Sequence, residues 1–131
     1  MDKTTKRLQT FCDLVARQKP MDLAQRVYTI TGQMPSSERF ELTNQMRRAV
    51  ASIPSNIAEG YARQRLADYL RFLRIARASL AELATQIELA QRMKMLSRIQ
   101  NVTELISEED RILQGLIRSL ETKAKQHKAS A

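Results

Sequence analysis

"LADYLRFLRIARASLAELATQIELAQRM", residues 66–93, decides the fold. Leu66, Tyr69, Leu73, Ala76, Leu80, Leu83, Ile87 and Ala90 recur at alternating steps of three and four. That is an unbroken heptad seam, the mark of a helix that buries one face against other helices. The stretch holds no Gly or Pro, so a helix is expected from Leu66 to about Met93 or Lys94. A helix this long with one apolar seam needs partners.

The rest of the chain supplies three. Leu23, Val27 and Ile30 give a first helix, expected from about Val15 or Pro20 to Gly32, with Pro20 tolerated in its first turn. Leu42, Met46, Ala49, Val50, Ile53 and Ile57 form a second stripe that passes Pro54 without changing phase. A continuous helix, kinked at Pro54 and capped by Ser36 or Ser37, is expected to about Arg63. Ile99, Val102, Ile106, Leu113, Leu116 and Leu120 set a fourth, capped by Ser97 and running to about Lys123; its one polar seam position is Glu109. Short connections make this an all-α, antiparallel up-down four-helix bundle. One domain spans 1–131, with basic and flexible ends expected at about 1–10 and 124–131.

Lys and Arg total 22 against 14 Asp and Glu, a net charge of +8. Such an excess favours anionic partners, nucleic acid first. Cys12 is the lone cysteine and the first ten residues lack the apolar core of a signal peptide, so a cytoplasmic location is expected and a membrane is not. No catalytic, cofactor or metal site emerges. The only histidine is His127, which leaves Ser52 and Ser55 without a base and any zinc or di-iron site without ligands. Nothing in the spacing demands that Glu59 and Asp68 pair for acid–base work; Glu59 is the only serious candidate, and an enzyme is not expected.

Two surface features remain. Arg71, Arg74 and Arg77 climb the third helix in steps of three; Arg92 joins them, and Arg47, Arg48, Arg63 and Arg65 add charge from the second. As a set they favour phosphate contact, RNA ahead of DNA. Ile75, Leu89 and Met93, with Ala78 between them, lie opposite the heptad seam and suggest contact between subunits. Between these features sits the Pro54, Asn56, Glu59, Gly60 group. Gly60 is read as a close approach of helices. Asn56 is expected to pair with carbonyls of the next helix or with groups freed by Pro54, and Glu59 with an Arg on another helix or subunit.

"LTNQMRRAVASIPSNIAEGYAR" (42–63) and "DYLRFLRIARASLAEL" (68–83) carry a resemblance to a family. Leu42, Thr43, Gln45, Arg47 and Arg48 match its first run. Ser52, Ile53, Asn56, Ile57, Ala58, Glu59 and Gly60 match its second, and Tyr69, Phe72, Leu73 and Ala76 its third. The chain resembles the bacterial four-helix-bundle proteins encoded in intervening sequences of 23S rRNA genes, a family that includes the accessory protein of diversity-generating retroelements. It departs from the family at Arg17, Arg65 and Ala78. The resemblance implies a homo-oligomer, commonly a homopentamer, and nucleic-acid binding. For the retroelement relatives it implies a reverse transcriptase as partner. The competing expectation is a protein–protein scaffold or accessory subunit with no direct nucleic-acid role.

Overall fold

The computed structural model describes residues 11–99 and 101–130; the basic segment expected at 1–10 lies outside them. Four helices follow one another: α1 (Phe11–Ile30), α2 (Leu42–Ala62), α3 (Leu66–Arg92) and α4 (Val102–Ser130). Two single-turn 3-10 segments, Thr31–Gln33 and Ser36–Glu38, join α1 to α2. α2 and α3 share the largest interface, and α1 packs on α2 and α4, and α3 on α4. Cross-helix contacts give the directions. Arg17 near the start of α1 lies over Tyr61 at the end of α2, while Arg47 near the start of α2 lies over Tyr28 near the end of α1. Lys19 bonds Glu108, and Gln33 beyond α1 bonds Arg98 ahead of α4. The bundle is therefore up-down-up-down. One end gathers the start of α1, the α2–α3 turn and the end of α4.

The seams are where the spacing places them. Tyr69, Leu73, Ala76, Leu80, Leu83, Ile87 and Ala90 of α3 are buried. They face Met46, Val50, Ile53 and Ile57 of α2, Leu23 and Val27 of α1, and Val102, Leu113 and Leu120 of α4 in one core. α2 runs unbroken through Pro54. The proline cannot donate to the Val50 carbonyl, but burial of Ile53 and Ile57 on either side holds the helix together.

The helix boundaries depart from the sequence expectation in four places. α1 already spans Phe11–Ile30, so Pro20 sits mid-helix instead of in a first turn; it is buried, and core packing overrides the lost hydrogen bond. Ser36 and Ser37 do not cap α2. They lie in a 3-10 turn, and Glu38 accepts the Leu42 N–H at 3.2 Å instead. Ser97 does not cap α4, which begins at Val102; its N–H and hydroxyl both donate to Gln33 Oε1 at 3.4 Å. α4 also continues past Lys123 to Ser130, through a segment free of Gly and Pro whose basic last turn suits a helix C-terminus.

Candidate nucleic-acid interface

The part of α2 from Ser52 to Gly60 resolves into short-range bonds and one close approach. Gly60 is buried, and a Cβ built there would lie 2.6 Å from Phe72 Cβ and 3.2 Å from Tyr69 Cδ1. No side chain fits, so α3 comes in against bare backbone. Asn56 Nδ2 donates to the Ser52 carbonyl of its own helix at 2.7 Å, not to the next helix or to a group freed by Pro54. Glu59 pairs with Arg63 one turn on at 2.9 Å, not with another helix. Both corrections have one cause: residues four apart in a helix already face each other.

Gly60 brings Phe72 to the α2–α3 turn, and arginines gather around it. The Arg71 and Arg63 guanidiniums lie 4.6 and 5.1 Å from the Phe72 ring centroid. Arg17 lies 4.6 Å over Tyr61, whose ring meets Tyr69 edge-on at 5.9 Å. Cation–π contacts of this kind hold a guanidinium flat and leave its edge N–H groups to donate elsewhere.

The predicted arginines do not form one free face. Arg74 Nη2 bonds Glu121 and Arg77 Nε bonds Asp110, both at 2.9 Å, tying α3 to α4. Arg71 is 3.9 Å from Asp68, and Arg92 is 3.4 Å from Glu88. Arg47 is half-buried, with Nε donating to Thr31 Oγ1 at 2.9 Å and its guanidinium over Tyr28. It braces α1 against α2. The Arg71–Arg74–Arg77 stripe is thus matched residue for residue by carboxylates: Asp68 of α3 itself, and Glu121 and Asp110 of α4, which the α3 sequence alone does not reveal.

Arg48 and Arg65 differ, being exposed with no ion pair among the described residues. So are Arg118, Lys123, Lys125 and Lys128 of α4, which the sequence reading left out of the nucleic-acid surface, giving the last two of them only to a basic, flexible end. Their signal was available: laying the charges along an up-down topology places the end of α4 beside the α2–α3 turn.

Ile75, Leu89 and Met93 are exposed at 40%, 46% and 55%. Ala78 is exposed too and lines a groove of about 760 Å³ between α3 and α4, with Ala81, Ala84, Ile106 and Ile117 on its walls. Glu109 occupies the polar seam position of α4. It is fully buried with neither carboxyl oxygen hydrogen-bonded among the described residues. Burial pushes its carboxyl up to about 8, against the pull of the Lys19 ammonium. The hydrogen bond from Lys19 goes instead to neighbouring Glu108 and holds that carboxyl below its ordinary value. Among the described residues no three His, Cys, Asp or Glu side chains are placed to share a metal ion. No described helix is long and apolar enough to cross a membrane.

No curated protein matches the chain. Among solved structures it is similar to a Bacteroides thetaiotaomicron protein of unknown function from the S23 ribosomal protein family. The two share 24% identity over 82% of this chain and 99% of the other, with a TM-score of 0.75, a likeness of fold. The family model described as 23S rRNA-intervening sequence protein matches residues 12–118, which takes in α2 and α3 whole, nearly all of α1 and the first part of α4. With the α2 and α3 motifs lying inside that span, the chain belongs to the 23S rRNA-intervening sequence protein family.

Proposed function

We propose that this protein is a non-enzymatic, oligomeric helical bundle that binds nucleic acid, RNA ahead of DNA, by multivalent contact with phosphates. One observation carries the reading: the +8 surplus leaves exposed cations, Arg48, Arg65, Arg118, Lys123, Lys125 and Lys128 among them, with no carboxylate partner among the described residues. Free cations on a rigid frame displace counterions from a nucleic-acid backbone, and an oligomer multiplies the contacts. The family's description ties its members to 23S rRNA, which puts RNA ahead of DNA. Glu59, the one acid–base candidate, is exposed and engaged by Arg63, which supports the non-enzymatic reading.

The test is a titration of fluorescent structured RNA and duplex DNA at two salt concentrations. Binding that weakens steeply with salt supports the reading; no salt-dependent binding to either overturns it. The exposed Leu89 and Met93 favour a second reading, a scaffold or accessory subunit, for example of the reverse transcriptase that the retroelement resemblance implies. Failure of nucleic-acid binding with an intact oligomer would move the conclusion there.

A further inference from the structure

The fold sorts the charge by end. One half of the bundle consists of residues 11–20, 53–79 and 108–130: the start of α1, the α2–α3 turn with its flanks, and α4 from Glu108, which stands level with Lys19. This half carries twelve Lys and Arg against seven Asp and Glu. The other half, residues 21–52 and 80–107, carries seven against six. Three segments distant in sequence are needed to make this asymmetry, so no window of the chain displays it. Large exposed apolar side chains sort the opposite way. Among the described side chains, Met21, Tyr28, Phe40, Leu89 and Met93 all lie in the neutral half, and only Ile75 lies in the basic one.

Resting on the nucleic-acid reading above, we infer that the basic end of the bundle, and not the arginine stripe of α3, is the surface that grips the phosphate backbone of RNA. Three observations bear on it. First, five of the carboxylates there, Glu59, Asp68, Glu108, Asp110 and Glu121, are already matched by Arg63, Arg71, Lys19, Arg77 and Arg74, which leaves, toward the tip, exposed cations with no carboxylate partner among the described residues. Arg65 at the head of α3 and Arg118, Lys123, Lys125 and Lys128 of α4 are those cations. Second, the Arg17 guanidinium is held over Tyr61, which reduces the freedom it loses on meeting a phosphate. Third, among the described side chains this end exposes one large apolar residue, Ile75, too little for the apolar centre of a protein–protein interface, while the neutral half exposes five. A partner for the basic end is therefore a polyanion bound by charge. Its contacts go to phosphates, so recognition follows backbone and shape before base sequence.

The experiment compares two triple variants of the full chain with the same change in charge. Arg65→Gln, Lys125→Gln and Lys128→Gln strip the basic end; Arg26→Gln, Arg48→Gln and Arg98→Gln strip the neutral half. None of the six side chains makes an ion pair among the described residues, and Gln keeps helix propensity. The two ends lie roughly 30 Å apart along helices of this length, beyond a Debye length of about 10 Å at 0.1 M salt. A structured RNA is titrated from 0.05 to 0.2 M salt, with thermal melts and sedimentation as controls. The basic-end variant is expected to bind about 100-fold more weakly at 0.1 M salt, with a salt slope shallower by about two to three. The neutral-half variant is expected to stay within about threefold of wild type. Equal losses in both, a larger loss in the neutral-half variant, or no loss in either overturns the assignment of the end while leaving nucleic-acid binding standing. Absence of wild-type binding to RNA removes the underlying reading instead. Polyglutamate serves as a competitor: if it displaces RNA at matched charge concentration, the end is a dock for acidic protein and the inference fails.

Discussion

At Gly60 a single missing carbon sets the distance between two helices. Helix propensity alone would reward Gly60→Ala by up to about 1 kcal/mol. The added Cβ, however, would meet Phe72 Cβ at 2.6 Å, and that atom is anchored to the α3 backbone and cannot rotate away. Gly60→Ala is therefore expected to destabilise by about 1–3 kcal/mol, and Gly60→Leu by more. Chemical denaturation measures it, and an alanine variant as stable as wild type would mean that α3 does not approach here. Glu109 is the second decisive residue. Its carboxyl sits near 8 in the folded protein against an ordinary 4.5. Between those values the unfolded chain releases a proton that the folded chain keeps, so stability is fullest below about 4.5 and declines as pH rises toward 8. The slope from this group approaches about 1.4 kcal/mol per pH unit. Glu109→Leu, which completes the apolar seam, should flatten the decline and gain about 1–3 kcal/mol at pH 8. Denaturation series at pH 5, 6.5 and 8 test this; parallel curves for the two proteins would show that the group stays solvated.

Among the elements, the joints between helices differ most in how they are held. The α3–α4 link is stitched to the end of α1 by one side chain. Gln33 Nε2 donates to the Arg98 carbonyl at 2.6 Å, and its Oε1 accepts the Arg98 N–H at 3.2 Å. Gln33→Ala leaves these backbone groups to solvent and should cost about 1–2 kcal/mol. Faster hydrogen exchange at the Arg98 amide, without change in the helices, is the specific sign; unchanged protection would place the link under other control. Where α3 meets α4, Arg74–Glu121 and Arg77–Asp110 are exposed pairs, each side chain between a third and a half accessible or slightly more. Such pairs contribute on the order of 0.2–1 kcal/mol and orient more than they stabilise.

For the whole molecule, the exposed apolar side chains of α3 bear on assembly. Ile75, Leu89 and Met93 stand opposite the seam that the bundle buries, so the single chain leaves them facing water. If they meet a second copy, Leu89→Glu places a charge inside the interface and should dissociate the oligomer while circular dichroism stays unchanged. Sedimentation of wild type and variant at micromolar concentration decides it. A monomeric wild type, or a variant of unchanged mass, would remove this surface from assembly. Charge sorted to one end and apolar exposure to the other half would let one small bundle assemble and bind at once.

The sequence by itself determined the four seams, because helical burial is periodic and the period is written locally in the residues from Leu23 to Leu120. It also pointed to Gly60, since a glycine on an apolar stripe has few uses other than close approach. Helix ends were less legible. The chain turns at Gln64 and Lys94 with φ of 59° and 58°, where no Gly or Asn announces a left-handed residue. Glu38 and Gln33 hold the joints only because the fold brings Leu42 and Arg98 to them. The free charge was illegible for the same reason. Arg74 and Arg77 look available on α3 until α4 sets Glu121 and Asp110 beside them. Arg65, Lys125 and Lys128 look scattered until antiparallel packing draws them to one end. Burial has a local period and can be read along the chain. Charge compensation depends on distance in space, and only the tertiary structure decided it.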